Sequence, residues 1–109
     1  MHELAIMESV VDAVSERVGD AHVVRVQLEI GKLSGIVPDA LRFCFDLSTE
    51  GTPLAGAALE IIEIPGRARC VDCAADVELE SMIALCGCGS ANLKFLSGQE
   101  LKIKQVEVA

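Results

Sequence analysis

The chain has no tryptophan, no tyrosine and only three phenylalanines among 109 residues. Its hydrophobic fraction of 51 % must therefore build a core from Ala, Val, Leu and Ile. Basic residues are scarce as well: nine Lys and Arg against seventeen Asp and Glu leave a net charge of −8. That balance argues against sequence-independent nucleic-acid binding, which needs cations to neutralise phosphates, and against an anionic membrane surface. No uninterrupted apolar run approaches the roughly 18 residues needed to cross a bilayer, and there are no internal repeats or low-complexity stretches. Glu3 and Glu8 occupy positions where a signal peptide would carry basic residues, so a cytoplasmic protein with reduced thiols is expected. The length suits one compact domain, or one domain carrying a small second module.

The most specific feature present is a cluster of four cysteines, Cys70, Cys73, Cys86 and Cys88. Two close pairs joined by a loop can bring four thiolates to the corners of a tetrahedron, as Zn(II) requires. Gly87 and Gly89 let the second pair turn tightly. That pair is C-x-C, one residue shorter than the usual knuckle. One or two disulfides, cysteines that merely pack, and three thiolates plus an outside ligand remain alternatives. The module contains no histidine that could replace a lost sulfur. Cys44, between Phe43 and Phe45, reads as a small buried hydrophobe.

Around the cluster, periodicity gives the elements. Leu4, Met7, Val10, Val11, Val14 and Val18 recur at helical spacing, and Gly19 ends that helix. Val24, Val26, Leu28 and Ile30 alternate with polar residues as in a half-buried strand. After a loop from Gly31 to Val37, Pro38 and Asp39 open a second helix with Leu41, Cys44, Phe45 and Ser48 on one side. Leu59 to Ile64 is a second strand, and Pro65-Gly66 and Ser97-Gly98 bracket the cysteine segment. In Glu100–Val108 the apolar residues change parity between Ile103 and Val106. A β-bulge near Lys104-Gln105 would return Leu101, Ile103, Val106 and Val108 to one buried face. This last strand is expected to pair with those at 23–30 and 58–64. The fold class that follows is α+β: two helices with a small three-stranded sheet, and an inserted β-rich, zinc-ribbon-like module.

At the amino terminus a retained Met1 would offer an α-amine beside the His2 imidazole and two backbone amides. Such a nitrogen set suits square-planar Ni(II) or Cu(II) more than Zn(II). A solvated terminal histidine is the plain alternative, and His22 reads as a surface residue.

Several segments, in order and spacing, then carry a resemblance. They are Met1-His2-Glu3-Leu4 with Glu8-Ser9, Gly31-Lys32-Leu33-Ser34, Val37-Pro38 with Leu41 and Phe43 to Phe45, Gly51-Thr52, Ala58 to Ile61, the cysteine pairs, Gly89-Ser90 and Val106-Glu107-Val108. Over essentially its whole length the chain resembles the HypA/HybF family of hydrogenase-maturation nickel chaperones. The family's second knuckle normally reads C-P-x-C, so Cys86-Gly87-Cys88 is a departure. The resemblance implies Ni(II) as cargo, bound by the Met1 amine, the His2 imidazole and the backbone amides of His2 and Glu3. It implies a structural Zn(II) on Cys70, Cys73, Cys86 and Cys88. Residues 1–65 and 98–109 would form a nickel-binding domain, and 66–97 a zinc-binding module. The implied partners are a HypB-like maturation GTPase and a hydrogenase large-subunit precursor; a urease as second recipient and a homodimer stay open. A zinc-ribbon interaction adaptor without nickel is one alternative, and a thiol-disulfide oxidoreductase using Cys70-Val71-Asp72-Cys73 is another. No catalytic set is discernible, so no enzyme activity is expected.

Overall fold

The structure, a computed structural model, describes residues 2–109. The chain runs α1 (Glu3–Val18), β1 (Val23–Gly31), α2 (Pro38–Ser48), β2 (Ala58–Ile64), β3 (Gly66–Cys70), β4 (Asp76–Leu79), β5 (Leu93–Ser97) and β6 (Leu101–Val108). Two three-stranded sheets result, ordered β2-β1-β6 and β4-β3-β5. The second sheet is antiparallel throughout, and its strands fall in sequence between β2 and β6. The molecule is elongated, with extents of 54 × 22 × 17 Å. Among the described residues no helix is long and apolar enough to cross a membrane.

The first sheet holds the main core. Met7, Val10, Val11 and Val14 of α1, Leu41 and Phe45 of α2, and Val23, Val26, Leu28 and Ile30 of β1 are all buried together with Leu54. Each such side chain contributes about 1.5–3 kcal/mol of burial, which is how a core almost without aromatics holds. Leu4 is exposed and Val18 only partly buried, so the helical stripe is shorter than its periodicity predicts. Cys44 packs against this core as a small hydrophobe, half-buried at its edge and so less covered than expected. On β1 it is Val23 that points inward while Val24 is exposed. A register irregularity between Val23 and Arg25 shifts the alternation there.

β1 is central, parallel to β2 and antiparallel to β6. β6 therefore pairs with β1 alone, and the expected pairing with 58–64 does not occur because β1 stands between them. Its bulge is where parity places it. Gln27 faces Gln105 and Leu28 faces Ile103, so Lys104 is the extra residue. Leu101, Ile103, Val106 and Val108 consequently lie opposite Ile30, Leu28, Val26 and Val23, on the helix-bearing face. They are not buried there as expected: Leu101, Ile103 and Val108 stay exposed, and Val106 is half-buried. The physical reason is the two-helix layer, whose mutual α1–α2 packing leaves the β6 side thinly covered.

The two sheets meet at a glycine-lined joint. Leu33 leaves the first sheet after β1 and packs with Ala68 and Leu79 in the core of the second. Its amide donates to the Gly98 carbonyl at 2.7 Å, and the Lys32 amide donates to Ile64 at 2.9 Å. A Cβ on Gly31 would lie 2.0 Å from the Gly98 carbonyl oxygen, and one on Gly66 would lie 2.7 Å from Leu33. Close backbone approach is what these two positions require of glycine.

Candidate metal centre

The cysteine pairs sit at one end of the second sheet, on two tight turns. Cys70 closes β3, and the chain reverses through Cys73 with the Ala74 amide donating to the Cys70 carbonyl and the Cys70 amide donating to Ala75, both at 2.9 Å. Ala74 takes the left-handed conformation at φ 63°, uncommon outside glycine. In the second pair the Gly89 amide donates to the Cys86 carbonyl at 2.8 Å, with Gly89 at φ 90°. The Cys86 amide donates to the Ser90 carbonyl at 2.8 Å and shuts the turn. The shortened C-x-C spacing is thus accommodated by a closed turn.

All four sulfurs lie within 4.8 Å of one another. Cys70 Sγ is 3.7 Å from Cys88 Sγ, and Cys73 Sγ is 3.5 Å from Cys86 Sγ. A disulfide needs about 2.05 Å, and all five cysteines are free. Tetrahedral Zn–S bonds of about 2.3 Å put sulfurs about 3.8 Å apart, so the separations suit that ion. Cys70 and Cys86 are buried, whereas Cys73 and Cys88 face outward.

The electrostatics of the cluster point the same way. Cys70 is lowered to about 7, chiefly because the Cys73 amide donates to its sulfur, with the Asp72 amide adding to it. The Ala75 amide works to lower Cys73, but the sulfurs of Cys86, Cys70 and Cys88 outweigh it and push the thiol up to about 12. For Cys88 the Ser90 amide opposes, and contacts with Cys86 and Cys70 again prevail, raising it. Four sulfurs this close cannot all be anionic on their own. A divalent cation between them reverses that, because its charge deprotonates coordinating thiols outright.

A strut joins the two turns. Ser90 Oγ donates to Asp72 Oδ2 in the first pair and accepts from the Asn92 amide at 3.0 Å, while the Val71 amide donates to the Asn92 carbonyl at 2.9 Å. Sequence reasoning had Ser90 only as part of a matching segment; a serine two residues beyond the second cysteine pair was the available signal. The Cys70–Cys73 pair lies in a β-hairpin turn and not at the start of a helix, which removes the geometry a thiol-disulfide exchanger uses.

The amino terminus lies apart from this cluster. Met1 is outside the described residues. His2 is exposed at the N-cap of α1, and among the described residues its side chain makes no cap hydrogen bond. Glu3 Oε2 accepts from the Val37 amide at 3.2 Å, tying the start of α1 to the start of α2. That bond is the main reason its carboxyl sits below the ordinary range. The Glu3 carboxylate is therefore engaged in the fold, a role its position in the sequence did not disclose.

Comparison with known proteins agrees with this arrangement. The family described as "Hydrogenase/urease nickel incorporation, metallochaperone, hypA" matches residues 1–108. The hydrogenase maturation factor HypA of Trichormus variabilis is 54 % identical over 108 residues, covering 99 % of this chain and 96 % of that protein. Its counterpart in Nostoc punctiforme is 52 % identical with the same coverage. The solution structure of the Ni metallochaperone HypA from Helicobacter pylori shares the fold, with a TM-score of 0.66 at 21 % identity over 99 % of this chain and 97 % of that one. With its α+β fold, four-thiol cluster and near-complete coverage, this chain belongs to the HypA family of hydrogenase/urease nickel-incorporation metallochaperones, a family of maturation factors and not of enzymes.

Proposed function

We propose that the chain carries Ni(II) on its amino terminus and delivers it to a [NiFe]-hydrogenase precursor, with a structural Zn(II) on Cys70, Cys73, Cys86 and Cys88. The ligands for the nickel cargo are the Met1 amine, the His2 imidazole and the backbone amides of His2 and Glu3. Two structural features support this reading. The His2 imidazole is exposed at a helix start, and first-turn amides have no intrahelical acceptor, so both nitrogen types can turn to a metal without dismantling the helix. Planar nitrogen donors select Ni(II) over the tetrahedral preference of Zn(II). Residues 1–65 and 98–109 act as the nickel domain and 66–97 as the zinc module, and the partners are a HypB-like GTPase and the precursor itself.

The single observation that carries the zinc half is the mutual spacing of the four sulfurs. Zinc supplies no chemistry beyond fixing the two turns, and the chain's own strut and amides orient the ligands. The nickel half is tested by calorimetric titration of the wild type, His2→Ala and a variant with one residue inserted before Met1. Both variants are expected to lose stoichiometric nickel binding while keeping zinc and fold. Unchanged nickel affinity in both would place the cargo elsewhere.

A further inference from the structure

The bulge in β6 has a consequence outside both metal sites. It turns Leu101, Ile103 and Val106 onto the helix-bearing face, yet α1 covers them incompletely. Two adjoining cavities of about 340 and 390 Å³ result, sharing Ala13 and Ile103. Together they form one groove, walled by α1 from Ile6 to Val18 and floored by β6 from Leu101 to Val106. We propose that this groove is a docking site for an acidic amphipathic helix of a partner protein.

Charge selects the partner. The chain is strongly acidic, yet among the described residues no carboxylate lines the groove, whereas Arg17 and Lys104 do; the Lys102 side chain alternates to the other face of the sheet. Lys102 is paired with Glu29 at 3.6 Å, while Arg17 and Lys104 have no ion-pair partner among the described residues. Unpaired cations beside an apolar floor attract a segment that carries an apolar stripe flanked by Asp or Glu. Cationic segments meet like charge there.

Length and direction select a helix. From Ile6 to Val18 the wall rises about 18 Å, and the floor from Leu101 to Val106 runs about 16 Å. Three turns of helix fill that span and become a third member of the α1–α2 layer. A strand added to the free edge of β6 would leave the floor uncovered, because these side chains point toward the helices and not along the edge. The groove begins one turn from His2, so a docked helix brings its owner beside the amino terminus. Like charge along the edge, at Lys102 and Lys104, also discourages edge pairing between copies of this chain.

The test uses the full, zinc-loaded chain without nickel, so its outcome is independent of the nickel site. The probe is a synthetic helix of about twelve residues with Leu and Phe at i, i+3, i+4 and i+7 and Glu on its flanks, against the same peptide with Lys in place of Glu. Saturable binding of the acidic peptide is expected, with NMR shifts concentrated at Ile6, Ala13, Leu101 and Ile103 and affinity falling as salt rises. Ile103→Glu should weaken it by about tenfold or more, and Lys104→Glu should weaken it while flattening the salt dependence. Equal binding of both peptides, no binding of either, or shifts located elsewhere overturns the proposal. So does self-association of the free chain that Ile103→Glu abolishes, since the groove would then be filled by a second copy.

Discussion

Single residues in this chain hold ends together more than they fill space. Ser90 bridges Asp72 to the Asn92 amide, spanning both cysteine turns. Ser90→Ala should therefore lower zinc affinity by about tenfold, the lower end of what hydrogen bonds behind metal ligands cost, while Ser90→Thr keeps the bond and the affinity. Competition with a chromophoric chelator measures both, and equal affinities for all three proteins would remove the strut from the account. Glu3 plays the corresponding part at the other end. The Val37 amide holds its carboxyl below the ordinary range, so folding favours the charged form. The stabilisation is complete above the unfolded-state value of about 4.3 and disappears as pH falls through the lower folded-state value. NMR titration should show the Val37 amide resonance following the Glu3 carboxyl, and Glu3→Gln should abolish that dependence. Neither role is readable from residue type alone, because each bond joins positions that the fold, and not the chain, makes adjacent.

Among elements, periodicity discloses which face a residue takes but not what covers it. The bulge was legible because two parities within Leu101–Val108 cannot share a face without an extra residue, and Lys104 is that residue. Exposure of the same face was not legible, since it depends on how two helices share three strands. Val23 and Val24 show the same limit: adjacent valines fit either alternation, and a register irregularity decides between them. For the buried central strand the expectation is firm. Leu28→Ala should cost about 2–5 kcal/mol in denaturant unfolding of the first sheet and its helices, with zinc content unchanged because Cys70, Cys73, Cys86 and Cys88 lie outside that core. Zinc loss accompanying this substitution would mean that the two cores are not separate.

At the scale of the molecule, the helix-bearing sheet and the cysteine-bearing sheet share a 54 Å body and meet at a glycine-lined joint. Leu33 is the side chain that crosses this joint, from the loop after β1 into the core of Ala68 and Leu79. An apolar residue in a loop flanked by glycine and serine was the only sequence signal, and it did not say which core it would enter. Leu33→Ala should leave both sheets folded while allowing them to reorient, seen as separate rotational correlation times in NMR relaxation; a single common tumbling time would show that the backbone bonds of Lys32 and Leu33 suffice. The four-thiol cluster was legible because cysteine spacing directly constrains geometry; the amino-terminal nickel site stands as a proposal, drawn from the nitrogen donors of Met1 and His2 and strengthened by resemblance. Native mass spectrometry of the zinc-loaded wild type and His2→Ala, each mixed with excess Ni(II), tests it most directly. A zinc ion is expected on both proteins, with an additional nickel ion on the wild type alone. Nickel retained by His2→Ala, or nickel appearing only as zinc departs, would contradict it.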